Sequence, residues 1–420
     1  MDRTRRSALY LDVAVYGLSA LFAGCTALWS PLPTHRFWGA IAIGGYLPAA
    51  VVATMLAARY AAPAMARMWT AVGASLAVTV MPLIAAAADR AGGALGRTQE
   101  EVLVVEAAGR RLLDTGSPYL PVDRIAELPA DERLLGYHPY QPGMAVFGLP
   151  KAVLGDSWFT DARVWFAVVA LGVIVAALLL LRRQGMPDGV TVRAVQGVGV
   201  LPLCALALAT GGDDLPVLSL CLLALVAMSA HRWVAAGVAV GLAAALKLLA
   251  WPVLVVLLVA ACCTGRRSVA RFLPGGVGIP VLSLLPVLID RPAAFVDNVV
   301  NFPLGNGIVV SPAASPLPGY LIANHLPAGR PVAIGLLGLA ALLIGWWMLR
   351  RPPTTADRAA ACAAVGLLAA AMLMPASRFG YLLYPAAMGV WCWCLMRTAS
   401  PSPRWTQAPE STGTVTAGAR

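Results

Sequence analysis

The sequence predicts an all-α polytopic membrane protein, a bundle of transmembrane helices in one domain. Of its 420 residues, 59% are hydrophobic and only 12% are charged. A soluble domain has about 25% charged residues, so this chain has too few charges to cover a globular surface of its size. Its apolar residues are also grouped in long runs, many of which approach the roughly 20 residues that a membrane-spanning helix needs.

The apolar runs predict about twelve crossings. The run at 233–263 is too long for one crossing and contains Lys247, so we expect two short half-length helices that meet near this lysine. The other crossings are expected at residues 8–29, 38–61, 68–88, 164–181, 193–210, 215–230, 272–289, 331–349, 359–375 and 381–396. The apolar run at 143–154 is too short to cross and is expected to be interfacial or re-entrant.

Basic residues predict the orientation of the bundle. The N-terminus reads M-D-R-T-R-R-S, and Arg182-Arg183, Arg266-Arg267 and Arg350-Arg351 follow or precede apolar runs. Because cytoplasmic loops carry an excess of arginine and lysine, these residues and both termini are expected in the cytoplasm of a multi-pass plasma-membrane protein. The net charge of +11 then indicates contact with anionic membrane lipid, and no nucleic-acid partner is expected.

Two polar segments and a tail complete the predicted organisation of the chain. Residues 1–398 are expected to form the membrane domain. Within it, residues 89–142 form a large extracytoplasmic loop and residues 290–330 a second outer segment. The Pro-, Ser- and Thr-rich residues 399–420 are expected to be a disordered cytoplasmic tail.

An amphipathic helix is predicted in the large loop, from Glu100 to about Asp114. Its apolar stripe is formed by Val102, Val105, Gly109 and Leu112, with Arg110 and Arg111 away from it. Such a helix lies at the membrane surface. Thr98-Gln-Glu-Glu101 is typical of a capping box, in which Glu101 bonds back to the helix start. The alternative is that Glu101 or Glu100 acts as a general base at the membrane–water boundary.

Other polar residues expected on the same side are also candidates for a site. Asp213 and Asp214 follow two glycines, a pattern that fits either an ordinary turn or an acidic site at the mouth of the bundle. Lys247 could extend toward water or bind a phosphate, and Arg378 could bind phosphate or lipid headgroups. His138 fits a loop residue better than a metal ligand, because no second histidine is near in sequence.

Three stretches resemble glycosyltransferase family 87, a family of GT-C-type membrane enzymes that includes the polyprenyl-phosphate-mannose-dependent mannosyltransferases of actinobacteria. The first stretch comprises Glu101, Val104, Ala108, Leu112, Leu113, Asp114, Gly116, Pro118, Tyr119 and residues 137–142. The second is residues 236–247 and the third is residues 212–216, so that the resemblance covers roughly residues 85–265.

The resemblance implies an inverting transfer of a hexose, most often mannose, from a polyprenyl-phosphate sugar to a glycolipid or glycan acceptor. Glu101, at the family's aspartate position, would be the base that deprotonates the acceptor, with Glu100 beside it. Lys247 would contact the phosphate, and Asp213, Asp214, Arg378, Tyr119, His138 and Tyr140 would line the substrate site. No cofactor and no divalent metal are expected.

Two other functions remain open from the sequence. A transporter or flippase of lipid-linked sugars would have a similar helix count, although such proteins often show an inverted repeat that we do not find here. A catalytically inactive GT-C-like protein would use Glu101 only as a helix cap.

Overall fold

The computed structural model describes residues 3–59, 63–94 and 96–397. Every element of regular secondary structure found there is a helix. The first ten are α1 (Arg3–Trp29), α2 (Pro33–Ala58), α3 (Ala64–Ala91), α4 (Glu100–Thr115), α5 (Val122–Glu127), α6 (Arg133–Gly136), α7 (Leu149–Leu154), α8 (Ala162–Arg183), α9 (Asp188–Val200) and α10 (Pro202–Thr210). The others are α11 (Asp214–Ser229), α12 (Trp233–Leu246), α13 (Trp251–Thr264), α14 (Arg266–Asp290), α15 (Pro292–Val296), α16 (Pro318–His325), α17 (Gly329–Arg350), α18 (Ala356–Leu373) and α19 (Leu383–Met396).

The predicted all-α polytopic bundle is confirmed. Eight helices of the described residues are long and apolar enough to cross a membrane, namely α1, α2, α3, α8, α14, α17, α18 and the helix that ends in α19. A ninth crossing is formed if α9 and α10, which are bent by 44°, act as one span. The remaining predicted crossings correspond to the shorter helices α11, α12 and α13. The predicted tail at 399–420 lies outside the described residues.

The break expected near Lys247 is present. The helix α12 ends at Leu246, Lys247 has extended backbone angles of φ −152° and ψ 142°, and a single 3-10 turn at Leu248–Ala250 leads into α13. Two short helices therefore meet at the one lysine of the apolar run, as the sequence predicts.

The helix α11 forms the centre of the bundle. Nearly every residue from Asp214 to Met228 is buried, on all sides of the helix, as expected for a helix without a polar face. It packs mainly against α8 and α12. Because α11 begins at Asp214 and is held on all sides, the acids at its first turn have fixed positions.

An ionic cluster at the end of the bundle away from Asp214 joins α1, α3 and α9. Asp12 accepts bonds from Arg67 Nε at 2.5 Å and from Arg193 Nη1 at 2.7 Å. Gln196 Nε2 also donates to Asp12, at 2.9 Å. Both carboxylate oxygens are bonded, which makes burial of this charge tolerable.

The amphipathic helix α4 lies directly on the short helical segment Pro142–Gly148. A Cβ atom on Gly109 would lie 2.4 Å from the carbonyl carbon of Gly148, and one on Gly148 would lie 2.2 Å from the carbonyl oxygen of Val105. The two backbones approach so closely that only glycine fits at either position. This contact sets the depth of α4 and so the position of Glu101 in its first turn.

Residues 290–330 pack on the loop that follows α4. The side chain of Asn298 accepts a bond from the backbone N–H of His138 at 2.7 Å and donates to the carbonyl oxygen of Leu120 at 2.9 Å. Near the end of α18, Ala314 forms a parallel bridge with Ser377. We use the term site end for the end of the bundle that contains α4, the 211–214 turn, Lys247 and Arg378.

The α4 contact predicts that Gly109→Ala and Gly148→Ala lower stability, because an added methyl group would force the two backbones apart at a cost of about 1–3 kcal/mol. The measurement is the thermal midpoint in detergent, read by size-exclusion chromatography after heating. Gly172→Ala in α8 is the matched control, since a Cβ there would meet nothing within 4 Å. If all three variants melted together, the close contact would not be limiting.

Candidate functional site

The position of Glu101 is fixed by the turn that precedes it. The backbone N–H of Gln99 donates to the carbonyl oxygen of Thr210 at 3.2 Å, so that the start of α4 is attached to the end of α10. No side chain caps the helix start, and the predicted capping box from Thr98 to Glu101 is therefore wrong. The carboxylate meets a guanidinium instead, in a charge-assisted contact.

Glu101 and Arg378 form an ion pair between side chains 277 residues apart in sequence, through Glu101 Oε1 and Arg378 Nη1. Both side chains are largely buried, with 12% and 25% of their surface exposed. Glu101 Oε2 is buried and has no hydrogen-bond partner. One carboxylate oxygen is therefore held and the other is free to accept a proton. Glu100 is exposed and takes no part in this pair.

Lys247 is buried between the two acids of the α11 turn. Its Nζ atom lies 2.7 Å from Asp213 Oδ1 and 2.5 Å from Asp214 Oδ1. Asp214 Oδ1 also accepts a bond from the hydroxyl of Tyr384 in α19, at 2.9 Å. Asp213 Oδ2 is buried without a hydrogen-bond partner. Lys247, Asp213 and Asp214 together carry a net charge of −1. An ammonium has three donors, and the two aspartates take two of them, so one N–H of Lys247 remains.

Aromatic rings surround the lysine. Nζ of Lys247 lies 5.2 Å from the ring centre of Tyr140 and 5.4 Å from that of Tyr381, which is within the range of a cation–π interaction. Tyr119 donates its hydroxyl to the carbonyl oxygen of Tyr140 at 2.7 Å. The segment after α4 therefore contacts the lysine through Tyr140, and the turn that leads into α19 contacts it through Tyr381.

His138 is completely buried between Tyr119 and Tyr140, with ring centres 5.5 and 5.3 Å away. Neither ring nitrogen has a hydrogen-bond partner. Burial, with a smaller effect from the nearby charge of Arg111, lowers the pKa of this imidazole to about 3. The ring is therefore neutral at physiological pH, with one nitrogen that can donate and one that can accept a bond.

Arg111 lies closer to this region than the sequence predicts. Its guanidinium is partly buried and donates to the carbonyl oxygens of Pro118 at 2.9 Å and Leu135 at 3.2 Å, so it does not lie away from the packed face of α4. Carbonyl oxygens of the following loop attract it inward. Its Nη2 atom has no partner, and burial lowers its pKa to about 10, which still leaves it protonated.

A second ionic network, which the sequence reasoning missed, joins α4 to the end of α3 and to the start of α8. Arg90 makes a two-pronged contact with Glu106, at 2.8 and 2.6 Å, and also reaches Asp161 at 2.8 Å. Arg163 donates to both oxygens of Asp161. Burial raises the pKa of Asp161, but the guanidinium groups of Arg163 and Arg90 together lower it below its ordinary value. The signal in the sequence was Glu106, an acid among apolar residues of α4.

The structure thus brings together most of the predicted site residues. Arg378 lies at Glu101. Lys247 lies at Asp213, Asp214 and Tyr140, and His138 lies at Tyr119 and Tyr140. Glu100 is the predicted residue that stays apart from these contacts. Among the residues that the structure describes, no three His, Cys, Asp or Glu side chains are grouped so that they could hold a metal ion.

The Lys247 cluster predicts a stability test. Lys247→Met leaves two acids buried without their cation and is expected to cost about 3–5 kcal/mol, since breaking a buried ion pair strands a charge. The triple variant Lys247→Met/Asp213→Asn/Asp214→Asn removes the charges together and is expected to recover most of that loss. Thermal midpoints in detergent provide the measurement. A triple variant no more stable than Lys247→Met would contradict this account of the cluster.

Comparison with known families adds an independent finding. The family model described as glycosyltransferase family 87 matches residues 137–377, which is more than half of the chain. The match includes Tyr140, Asp213 and Lys247, whereas Glu101 precedes it and Arg378 follows its last residue. Neither curated proteins nor solved structures give a significant match. The chain belongs to glycosyltransferase family 87 and is a membrane glycosyltransferase.

Proposed function

We propose that this enzyme transfers a hexose from a polyprenyl-phosphate sugar to a glycolipid or glycan acceptor at the outer face of the plasma membrane. The family resemblance favours mannose as the hexose. One observation carries the proposal. Among the acids Asp12, Glu106, Asp161, Glu101 and Asp213, the first three have both carboxylate oxygens bonded. Glu101 and Asp213 each have one buried oxygen without a partner, and both lie at the site end.

Glu101 is the proposed general base. Its Oε1 is fixed by Arg378, which orients the free Oε2, and its side chain is more exposed than that of Asp213. Glu101 therefore lies nearer to water than Asp213, and its buried Oε2 must be uncovered when the acceptor binds. Buried Asp213 is the runner-up, because it also has a free oxygen.

The proposed step is a single displacement. The acceptor O–H gives its proton to Glu101 Oε2, and the acceptor oxygen forms a bond with the anomeric carbon. The bond between that carbon and the phosphate oxygen breaks on the opposite face, which inverts the configuration. Its electron pair leaves with polyprenyl phosphate. No co-reactant is needed, because the donor sugar is already activated as a phosphate ester.

The departing phosphate needs positive charge, since negative charge increases on it as the bond breaks. Arg378 has guanidinium donors beyond the one bonded to Glu101, and Lys247 has one donor beyond the two taken by Asp213 and Asp214. We assign the phosphate to these two cations as hydrogen-bond donors. Proton transfer to Glu101 frees the charge of Arg378 for the phosphate, whereas Asp213 and Asp214 continue to balance the charge of Lys247. The neutral His138 and the rings of Tyr119 and Tyr140 would face the sugar, with hydrogen bonds to its hydroxyl groups and stacking against its ring.

The lipid-linked donor also agrees with the position of the site in the bundle. Arg182-Arg183, Arg266-Arg267 and Arg350-Arg351 lie at the ends of helices away from the site end. By the positive-inside rule, they favour cytoplasmic termini and a site end that faces outward. A donor anchored in the membrane would reach such a site without a soluble nucleotide sugar.

The base assignment predicts a loss of transfer in Glu101→Gln. Removal of a general base typically costs about 10²- to 10⁴-fold in rate, and the amide keeps the size of the side chain. The measurement is transfer from radiolabelled polyprenyl-phosphate mannose to endogenous acceptors in membranes. Asp114→Asn, an exposed acid of the same helix, is the control that should retain activity.

Two outcomes would move the base role elsewhere. Loss in Glu100→Gln with normal transfer in Glu101→Gln would assign it to the neighbouring glutamate. Loss only in Asp213→Asn would assign it to the α11 turn. A wild-type protein that transferred no sugar from this donor would contradict the donor assignment.

Sidedness is tested with single cysteines in a Cys262→Ser/Cys263→Ser background, which removes the two exposed native thiols. A membrane-impermeant maleimide should label Asp114→Cys in intact cells. It should label Arg267→Cys, at the start of α14, only after the membrane is permeabilised. The reverse pattern would place the site end in the cytoplasm.

A further inference from the structure

A cavity of about 140 Å³ lies at the site end, and neither Glu101 nor Lys247 lines it. It is open on one side and is lined by the 304–311 segment, by Tyr320 and Asn324 of α16, by Arg330 at the start of α17, and by Pro375 and Ala376. We call it the loop cavity. Its volume is close to that of the roughly 150 Å³ protein cavity that admits a benzene ring. Because the loop cavity also opens to the outside, it can hold the ring of a pyranose while the hydroxyl groups extend through the opening.

The wall of the loop cavity is mostly apolar, with a few polar side chains that converge on it, as is usual for ligand pockets. Tyr320 provides a partly buried aromatic ring, and Asn324 and Ser311 provide an amide and a hydroxyl. Arg330 is the one cation of the lining, and its Nη1 is already bonded to the carbonyl oxygen of Gly305 at 3.0 Å. No carboxylate lines the cavity. An aromatic ring with neutral donors and acceptors suits a sugar ring better than a doubly charged phosphate.

The 304–311 wall is held in shape by the loop after α4. Tyr137 stacks on Phe302, with ring centres 4.1 Å apart, and its hydroxyl accepts a bond from the backbone N–H of Ile308 at 3.0 Å. A Cβ on Gly307 would lie 2.6 Å from Phe302 Cδ2. The cavity is thus formed by the fold itself, which lowers the cost of ordering the wall around a ligand.

The loop cavity is also connected to the proposed base. The backbone N–H of Ser315 donates to the carbonyl oxygen of Ser377 at 2.9 Å, and the backbone N–H of Phe379 donates to Ser315 Oγ at 3.0 Å. These bonds fix the segment from Ala376, in the cavity lining, to Arg378, which holds Glu101. Two residues of extended chain span at most about 7 Å.

We infer that the loop cavity is the acceptor subsite, which binds one pyranose ring of a sugar-containing acceptor while a hydroxyl of that acceptor extends to Glu101. The inference rests on the proposed function, because it assigns the acceptor end of that reaction. It also separates the two substrates in space: the donor phosphate lies at Arg378 and Lys247, and the acceptor ring lies on the other side of residues 375–377.

The first test is binding, which does not depend on catalysis. Methyl α-D-mannopyranoside is added to the protein in nanodiscs, and saturation transfer to the sugar is measured by NMR. Wild type and Glu101→Gln should bind it equally. Ser311→Phe, which fills the cavity, and Arg330→Gln should lose the signal. His325→Gln is the control, an exposed residue of α16 that does not line the cavity.

The second test is kinetic and uses octyl α-D-mannopyranoside as acceptor, with release of free mannose from the donor as a parallel readout. Tyr320→Ala and Arg330→Gln should raise the KM for the acceptor about tenfold, a loss of ground-state binding, while donor hydrolysis stays within about twofold of wild type. His325→Gln should change neither value.

The outcomes distinguish this inference from the proposed function. Equal loss of hydrolysis and transfer in the cavity variants would overturn the inference, because the cavity would then belong to the donor. Unchanged sugar binding in Ser311→Phe, or absence of binding in wild type, would also overturn it. If wild type bound the sugar in the cavity but neither hydrolysed nor transferred the donor, the proposed donor reaction would fail while the binding site stood.

Discussion

The buried ammonium of Lys247 is the interaction on which the site end depends. An isolated charge cannot be buried among apolar helices, so its position requires acids at bonding distance. Asp213 and Asp214 meet this requirement at 2.7 and 2.5 Å. To do so, the 247–250 break must face the first turn of α11. Tyr384 then bonds to Asp214, which brings α19 to the same point. Four helices, α11, α12, α13 and α19, are aligned by one cation.

Partner count separates the acids that hold the fold from those that are available for chemistry. Asp12, at the opposite end, has both oxygens bonded, to Arg67, Arg193 and Gln196. Glu106 and Asp161 also have both oxygens bonded, in the network that joins α4 to α3 and α8. A fully bonded carboxylate gains nothing from accepting a proton. Glu101 and Asp213 keep one oxygen free, at the end of the bundle where a lipid-linked donor is proposed to bind.

Much of this architecture could be predicted from the sequence, because it depends on local pattern. Apolar runs marked the long helices, an amphipathic stripe marked α4 within one residue of its observed end, and a lysine in an apolar run marked the break between α12 and α13. The family resemblance was also confirmed by the match to residues 137–377, although that match does not extend back to Glu101.

The pairing of charges could not be predicted, since it depends on which helices become neighbours. The motif at Thr98 favoured a cap, but Glu101 meets an arginine 277 residues later in the chain. Arg111 was expected on the polar face of α4, yet backbone carbonyls of the following loop hold it inside. Asp12 lies within a long apolar run, and nothing in that run indicates its partners from α3 and α9. Local patterns carry no information about such contacts.

The most direct measurement of the central claim is a cryo-EM map of the protein in nanodiscs with polyprenyl phosphate, the leaving group of the proposed reaction. The account predicts phosphate density in contact with Arg378 and within about 4 Å of Lys247 Nζ, the range of an ion pair, with Glu101 Oε2 open toward the loop cavity. Phosphate density beside Arg330 in that cavity, or at the Asp12 cluster at the other end, would contradict it.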